Sequence, residues 1–331
     1  MSTTKKKPAH LKPSKLGTKE YWDELYATEI SNHAHDPSDM GTVWFDDSDA
    51  EAKMIEFLSS SSLLHSSSSP DADADADVKS TTSFLDLGTG NGSLLFGLRD
   101  EGFGGGSGGR MLGVDYSARS VEFARRIERE RRRAQRRGRR GGDAEEYGEG
   151  RGGGNDERGE GRKTTNGSEG EIPPETKEEE GEGEGEPEVE FLEHDILRAP
   201  PAALLTGAQR RGWDAVLDKG TFDAVSLSSE PDAGDRYRAG VLPLVRPGGL
   251  FLVTSCNWTE EELRGWFEED DDDAEEAGDR GDEDKDGEGE EEGEGRWGFE
   301  VAGRVQYPSF SFGGVKGQTI STLCFRKVKK S

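Results

Sequence analysis

Phe84-Leu85-Asp86-Leu87-Gly88-Thr89-Gly90-Asn91-Gly92 joins a short apolar run to a carboxylate and three alternating glycines. Such glycines let a chain turn sharply and let a ligand lie against bare backbone. The spacing is GxGxG, with Ser93 following Gly92, so the GxGxxG fingerprint of a dinucleotide site is not met. Downstream, Met111-Leu112-Gly113-Val114 runs into Asp115 and Tyr116, 23 residues after Gly92. A carboxylate closing the second strand of a βαβ unit can accept from the 2′ and 3′ hydroxyls of a ribose. It can equally cap a helix beginning near Ser117. The run Phe191-Leu192-Glu193-His194 delivers Asp195, placed to accept from an adenine amino group, and Ile196, placed against its ring. His194 reads as a structural histidine. A fourth run, Trp213-Asp214-Ala215-Val216-Leu217, ends in Asp218-Lys219-Gly220-Thr221-Phe222-Asp223-Ala224.

These residues need a scaffold that brings strand ends together. Strand candidates are Phe84–Leu87, Met111–Asp115, Val189–Glu193, Asp214–Asp218, Leu250–Ser255, Phe299–Tyr307 and Thr319–Arg326. The first five are short, nearly continuous apolar runs, the pattern of a parallel sheet covered on both faces. Helical patterns fall at Ser93–Asp100, Ser117–Arg133, Pro200–Arg211, Pro231–Val245 and Thr259–Phe267. Pro247-Gly248-Gly249 is a structural turn before the fifth strand. Only Pro308–Gly317 separates the last two strands, so they read as an antiparallel hairpin at one edge. The expected fold is α/β: a doubly wound, Rossmann-like seven-strand sheet, mostly parallel, with an antiparallel edge hairpin and disordered low-complexity insertions.

The chain has 331 residues, a net charge of −27 and only 30% hydrophobic residues, with a mean hydropathy of −0.89. Four segments look foldable: Ser14–Leu58, Ser83–Arg126, Glu188–Phe267 and Trp297–Lys330. The expectation is one domain over 14–330, interrupted by low-complexity insertions at 59–79, 128–187 and 268–296, behind a disordered tail at 1–13. None of these stretches carries enough apolar surface to offset the entropy of ordering it. Glu169–Glu190 carries a net −10 and Glu268–Glu294 a net −16, leaving −1 for all other residues. The acidity therefore belongs to two tracts and does not define a partner for the folded part. Ten arginines within Arg125–Arg140 raise the question of nucleic acid. The tract lacks interleaved aromatics and lies near neutralising glutamates, so nucleic-acid binding is not expected. Cys256 and Cys324 read as reduced core residues, not as a disulfide or zinc framework. With no secretory signal and no apolar stretch near ~20 residues, the expected location is the cytosol, with the nucleus open and no membrane partner.

The GxGxG loop with Asp86 two positions before its first glycine resembles motif I of the seven-strand methyltransferases. That resemblance implies that Asp86, Gly88, Thr89, Gly90, Asn91 and Gly92 hold the aminoacyl part of S-adenosylmethionine, with Asp115, Tyr116, Asp195 and Ile196 on its adenosine. Amino methyltransferases acting on bases carry an NPPY-like loop after the fourth strand, and DKGTFDA in its place argues against a base as acceptor. DKGTFDA together with Leu16-Gly17-Thr18-Lys19-Glu20-Tyr21-Trp22-Asp23 resembles the eukaryotic lysine methyltransferases acting on translation elongation factor 1-alpha, in their small single-domain branch. Val43-Trp44-Phe45 and Tyr307-Pro308-Ser309-Phe310-Ser311-Phe312-Gly313-Gly314 agree with it. The likeness covers the four foldable segments and none of the low-complexity tracts.

The resemblance implies a protein substrate, elongation factor 1-alpha; a monomer with no metal is expected. Presenting a lysine neutral at pH 7 costs about 4–5 kcal/mol from a pKa near ~10.4, which a narrow, water-poor channel would offset by desolvation. Asp218 is the carboxylate expected to grip the ammonium or accept its proton. Phe222, Tyr21, Trp22, Tyr26 and Trp44 are either channel walls or lid packing. Two other functions are open: a small-molecule or nucleic-acid methyltransferase on the same fold, and a non-catalytic binding module.

Overall fold

The computed structural model describes residues 7–60, 63–64, 78–145, 188–268, 296–308, 310–312, 315–317 and 320–330. Two helices come first, α1 (Lys19–His35) and α2 (Ala50–Ser60). Then follow β1 (Phe84–Leu87), α3 (Ser93–Asp100), β2 (Met111–Asp115), α4 (Ala118–Glu145) and β3 (Val189–Glu193). The second half runs β4 (Trp213–Lys219), α5 (Thr221–Ser226), α6 (Ala233–Leu244), β5 (Val245–Ser255) and α7 (Glu260–Phe267). It ends with β6 (Trp297–Val305), β7 (Phe310–Phe312), β8 (Val315–Gly317) and β9 (Ser321–Lys329). Residues 1–128 with 187–331 form one compact unit, and Arg129–Glu186 form a second.

Seven strands make one sheet in the order β3-β2-β1-β4-β5-β9-β6. The first four pairings are parallel, and β9 runs antiparallel to both β5 and β6. Strand alternation divides the side chains between two cores. Leu85, Leu87, Val216, Phe251 and Val253 face Phe222, Tyr237, Trp258, Trp266 and Phe267 on one side. Phe84, Leu217, Leu250 and Leu252 face Met54, Leu95, Phe123 and Phe191 on the other. Every residue of β1 and β2 is buried, as apolar strands between two helical layers require.

Several elements differ from expectation. The last two strands pair as foreseen, but the reversed strand β9 lies inside the sheet and β6 forms the edge. Between them β7 and β8 pair as a small ribbon instead of a simple turn. Pro200–Arg211 is not a helix but two 3₁₀ turns, Pro201–Leu204 and Gly207–Arg211, broken where Gly207 takes φ +59°. β5 starts at Val245, since Val245 pairs with Trp213 and Leu250 with Ala215. Arg246–Gly249 thus bulge out opposite Asp214, and the Pro-Gly-Gly turn sits inside the strand. α4 continues to Glu145, past the expected end at Arg133 and into a stretch read as linker, because Arg, Ala, Gln and Glu favour helix.

The segment expected as a disordered tail is in part seated on the fold. Lys7 pairs with Asp235, His10 Nε2 lies 2.9 Å from the Ser228 carbonyl, and Leu11 packs against the first core. Residues 1–6, and most of the insertions expected at 59–79, 128–187 and 268–296, lie outside the described residues. Among the described residues no helix is long and apolar enough to cross a membrane.

Candidate active site

One cleft of about 410 Å³ opens at the carboxyl ends of the parallel strands. Its wall takes Leu87 and Gly88 after β1, Val114–Tyr116 at β2, and His194–Arg198 after β3. Lys219–Thr221 follow from β4, and Cys256 and Asn257 from β5. Asp223–Val225 and Leu227–Glu230 add to it, and Leu16–Glu20, Trp22, Tyr26, Trp44 and Phe45 complete it. β1 lies between β2 and β4, so this is the crevice where strand order reverses, the place such sheets bind ligands.

The two sequence motifs meet physically at the cleft floor. Thr221 donates its hydroxyl to the Leu87 carbonyl at 2.6 Å. A Cβ on Gly88, where φ is +65°, would come within 1.9 Å of that same hydroxyl. Gly88 is therefore required twice, by its backbone conformation and by the close approach of Thr221. The other two glycines make room for protein and not directly for a ligand: a Cβ at Gly90 would meet the Tyr26 hydroxyl at 2.8 Å, and one at Gly92 would meet the Phe191 ring at 2.7 Å.

Asp115 is tied to the start of α4 and to the glycine loop, and it also lines the cleft. Its Oδ1 accepts from Ser117 N at 2.9 Å, and its Oδ2 from Ser120 Oγ at 2.7 Å and Gly90 N at 3.2 Å. These bonds fix a buried carboxyl on the cleft wall, and burial raises its pKa against those same donors. Tyr116, Asp195 and Ile196 share that wall. Asp195 accepts from Leu197 N at 2.9 Å and from Arg198 at 3.0 Å. His194 is also on the wall, its imidazole biased toward the neutral form by burial, its Nε2 buried without a hydrogen-bond partner among the described residues.

The rest of the glycine loop lies beneath the cleft. Asn91 accepts from Ser93 N at 3.1 Å at the start of α3 and donates to the Met40 carbonyl at 2.8 Å. Asp86 and Thr89 are buried. Burial pushes the Asp86 carboxyl up to about 7, partly offset by the Thr89 hydroxyl and the charge of Lys219. Asp86, Thr89, Gly90, Asn91 and Gly92 thus shape the floor without forming the wall, because β2, α1 and Phe191 fill the space around them.

Asp218 and Phe222 require correction. Asp218 is fully buried; its Oδ1 accepts from Thr221 N at 2.7 Å and its Oδ2 from Phe222 N at 2.9 Å, with the Tyr237 hydroxyl bonded to the same oxygen. It caps the first turn of α5, and neither oxygen meets the cleft. Burial pushes it up to about 7 against the opposing Tyr237 and Thr221 donors. Phe222 is a core side chain, packed on Tyr237, Trp266 and Phe267 at ring distances of 5.0–5.4 Å. Tyr21 is not on the wall either; it packs edge-on to Trp22 beneath the Lys15 ammonium. Trp22, Tyr26 and Trp44 do line the cleft.

The residues that reasoning from sequence missed are Lys219, Asp223, Asn257 and the segment before α1. Asp223 is one turn position past Phe222 and lines the wall. The Leu16–Asp23 stretch explains itself residue by residue. A Cβ at Gly17 would strike the Leu227 carbonyl at 2.1 Å. Ser14 N donates to that carbonyl at 3.0 Å. Trp22 Nε1 donates to the Leu16 carbonyl at 2.8 Å, and Asp23 accepts from Ser117 Oγ at 2.6 Å. These contacts hold the N-terminal segment over the ends of β2 and β4.

The residues present suit an adenosyl sulfonium. The cleft volume is in the range of small-molecule sites, carboxyls and the unpartnered His194 nitrogen stand on the β2–β3 side, and Ile196, Leu197, Val225 and Leu227 give apolar surface.

Comparisons with known proteins agree. Residues 78–140 match the family model described as a methyltransferase domain. The chain is 31% identical to the protein-lysine N-methyltransferase EFM4 of Saccharomyces cerevisiae, over 96% of this chain and 97% of that one. It is 29% identical to efm4 of Schizosaccharomyces pombe, over 96% and 95%. With the EEF1A lysine methyltransferase 2 of Danio rerio the identity is 26%, over 95% of this chain and 89% of the relative.

Proposed function

The chain belongs to the protein-lysine N-methyltransferases represented by these relatives, and from that membership we propose that it methylates a lysine of translation elongation factor 1-alpha. Relatives named for lysine methylation of EEF1A direct the choice of substrate. When bound, S-adenosylmethionine supplies an electrophilic methyl group to a neutral amine.

This chain's own residues hold and orient. Asp115 would take the ribose hydroxyls, since its donors Ser117, Ser120 and Gly90 fix the carboxyl in one position. Asp195 and Ile196 would take the adenine, and the Leu87–Gly88 turn, braced by Thr221, the remaining part. Leu16–Glu20, Trp22 and Trp44 exclude water from one side of the cleft. A lysine entering such a space loses solvation, which lowers its pKa toward neutrality. The free thiols Cys256 and Cys324 support a reducing compartment, and we place a monomeric enzyme in the cytosol.

The observation that carries this reading is the convergence of Gly88, Asp115 and Asp195 from three adjacent strands on one crevice. Its test is label transfer. The chain is incubated with methyl-labelled cofactor and elongation factor 1-alpha from cells lacking the activity, and the factor's lysines are mapped by mass spectrometry. The expected result is a labelled lysine; saturable cofactor binding with no label on the factor contradicts the substrate.

A further inference from the structure

Five carboxylates line the cleft: Glu20, Asp115, Asp195, Asp223 and Glu230. Asp115 is bound by its three donors. Asp195 pairs with Arg198, and Glu230 with Arg198 and Arg236. Glu20 is exposed at the start of α1. Asp223 differs from all four. It is only 6% exposed, and among the described residues no cation lies against it.

Its position is nonetheless firmly set. The Ser255 hydroxyl bonds to Asp223 Oδ1, and Cys256 N donates to Oδ2 at 2.8 Å. Ser255 Oγ in turn accepts from Asn257 N at 3.1 Å and Trp258 N at 3.0 Å. Burial raises the Asp223 pKa, opposed by those donors. The neighbouring Cys256 thiol is pushed up to about 12 by burial and by Asp223, so it stays neutral beside the acid. A buried, positioned carboxylate without a counter-cation, on the wall of a cleft, calls for a cation from outside.

Aromatic rings stand on the same side. Phe45 reaches Gly220, the residue before α5: a Cβ there would lie 3.1 Å from the Phe45 ring. Phe45 holds φ +64°, a left-handed conformation that costs a non-glycine residue about 1–2 kcal/mol. Lys219 Nζ donates to the Trp44 carbonyl at 3.1 Å, fixing that loop, and Trp44 packs on Trp22 at 5.2 Å. The adenosine-side carboxyls stand at the ends of β2 and β3. Asp223 stands on the other side of β1, at the β4–β5 ends. An acid with aromatic walls suits an alkylammonium.

We propose that Asp223, and not Asp218, receives the ammonium of the acceptor lysine, with Trp44 and Phe45 beside the alkyl chain. Asp223 first binds the ammonium and aligns its nitrogen. One N–H proton then passes to a carboxylate oxygen of Asp223, and the lone pair so freed on the neutral amine attacks the methyl group as its bond to sulfur breaks. The inference rests on the lysine methyltransferase reading and specifies its acceptor side.

The test compares wild type with Asp223→Asn and Asp223→Glu, each saturated with cofactor, using n-butylammonium as a mimic of the lysine side chain and n-butanol as its neutral control. Wild type binds n-butylammonium in preference to n-butanol by direct titration, and n-butylammonium competes with elongation factor 1-alpha. In Asp223→Asn that preference disappears and kcat/KM for the factor falls by at least about 30-fold, while cofactor affinity is unchanged. Asp223→Glu recovers part of the preference. Full turnover by Asp223→Asn overturns the proposal, as does a parallel loss of cofactor affinity. Equal binding of the two small ligands by wild type overturns it without any variant. Failure of the functional reading has a different signature: no label reaches the factor, while the two titrations still decide Asp223.

Discussion

The two ends of the central sheet are built under opposite constraints. At the carboxyl ends of the parallel strands, five connections and the N-terminal segment converge on one cleft. Their spacings leave no room for a methyl group at Gly17 or Gly88. The three low-complexity stretches precede β1, β3 and β6 in the chain, so their downstream boundaries stand at the amino ends of those strands. Side chains of the folded part hold residues at these boundaries. Arg326 donates to the Leu63 carbonyl at 2.9 Å. Glu128 accepts from Val189 N at 3.4 Å. Glu268 accepts from Val301 N at 2.9 Å. Glu128–Val189 and Glu268–Val301 each join the two sides of a stretch, and with the ends held together each doubling of length costs only about 0.6 kcal/mol. Long acidic and Arg-rich tracts in the sequence therefore cost the fold little, while the cleft is tightly specified.

Breaking a pin at the insertion end should unfold the protein more readily than it disturbs the cleft. The strongest pin is Glu128, which accepts two 2.8 Å bonds from Arg99 Nη1 with side chains only 1% and 5% exposed. Glu128→Ala should cost about 3–5 kcal/mol of stability by removing one partner of a buried pair. Chemical denaturation measures this, and folded variant should bind cofactor as wild type does. A loss of cofactor affinity without a loss of stability would mean that the two ends are coupled.

Gly88→Ala attacks the other end. The left-handed backbone costs about 1–2 kcal/mol and the collision with Thr221 about 1–3 kcal/mol more. Here cofactor affinity and stability should fall together, as titration and denaturation can show. An alanine variant with normal affinity would mean that the Gly88–Thr221 contact is not part of the site.

The smallest effect is expected from removing most. Replacing 129–186 by a short flexible linker should change stability by no more than about 2 kcal/mol and leave cofactor affinity unaltered. A large loss of affinity would show that this stretch contributes to the cleft.

The comparison also explains what was legible in the sequence. The five parallel strands and the acid ending β2 stand out because buried strands are nearly continuous apolar runs, which a carboxylate visibly interrupts. Asp218 misleads because an acid before a short turn serves a helix N-terminus as well as it serves a substrate; the Tyr237 hydroxyl that ties it down is 19 residues away in the chain. Phe222 and Asp223 are adjacent, and one step along α5 separates a core ring from a cleft carboxylate. A six-residue helix is too short for its periodicity to be read. Lys7–Leu11 carries too few apolar residues to signal its seat on α6 and the Ser228 turn, since its main contacts are one ion pair, one backbone carbonyl and one leucine.

The central claim is that the crevice between the β1 turn and the end of β2 holds the adenosyl sulfonium, with Asp115 on its ribose. Calorimetric titration of S-adenosylmethionine into wild type and Asp115→Ala tests it most directly. Loss of charge-assisted bonds worth about 1.5–3 kcal/mol predicts a Kd raised by roughly 10- to 150-fold; equal affinities in a folded variant would contradict the account.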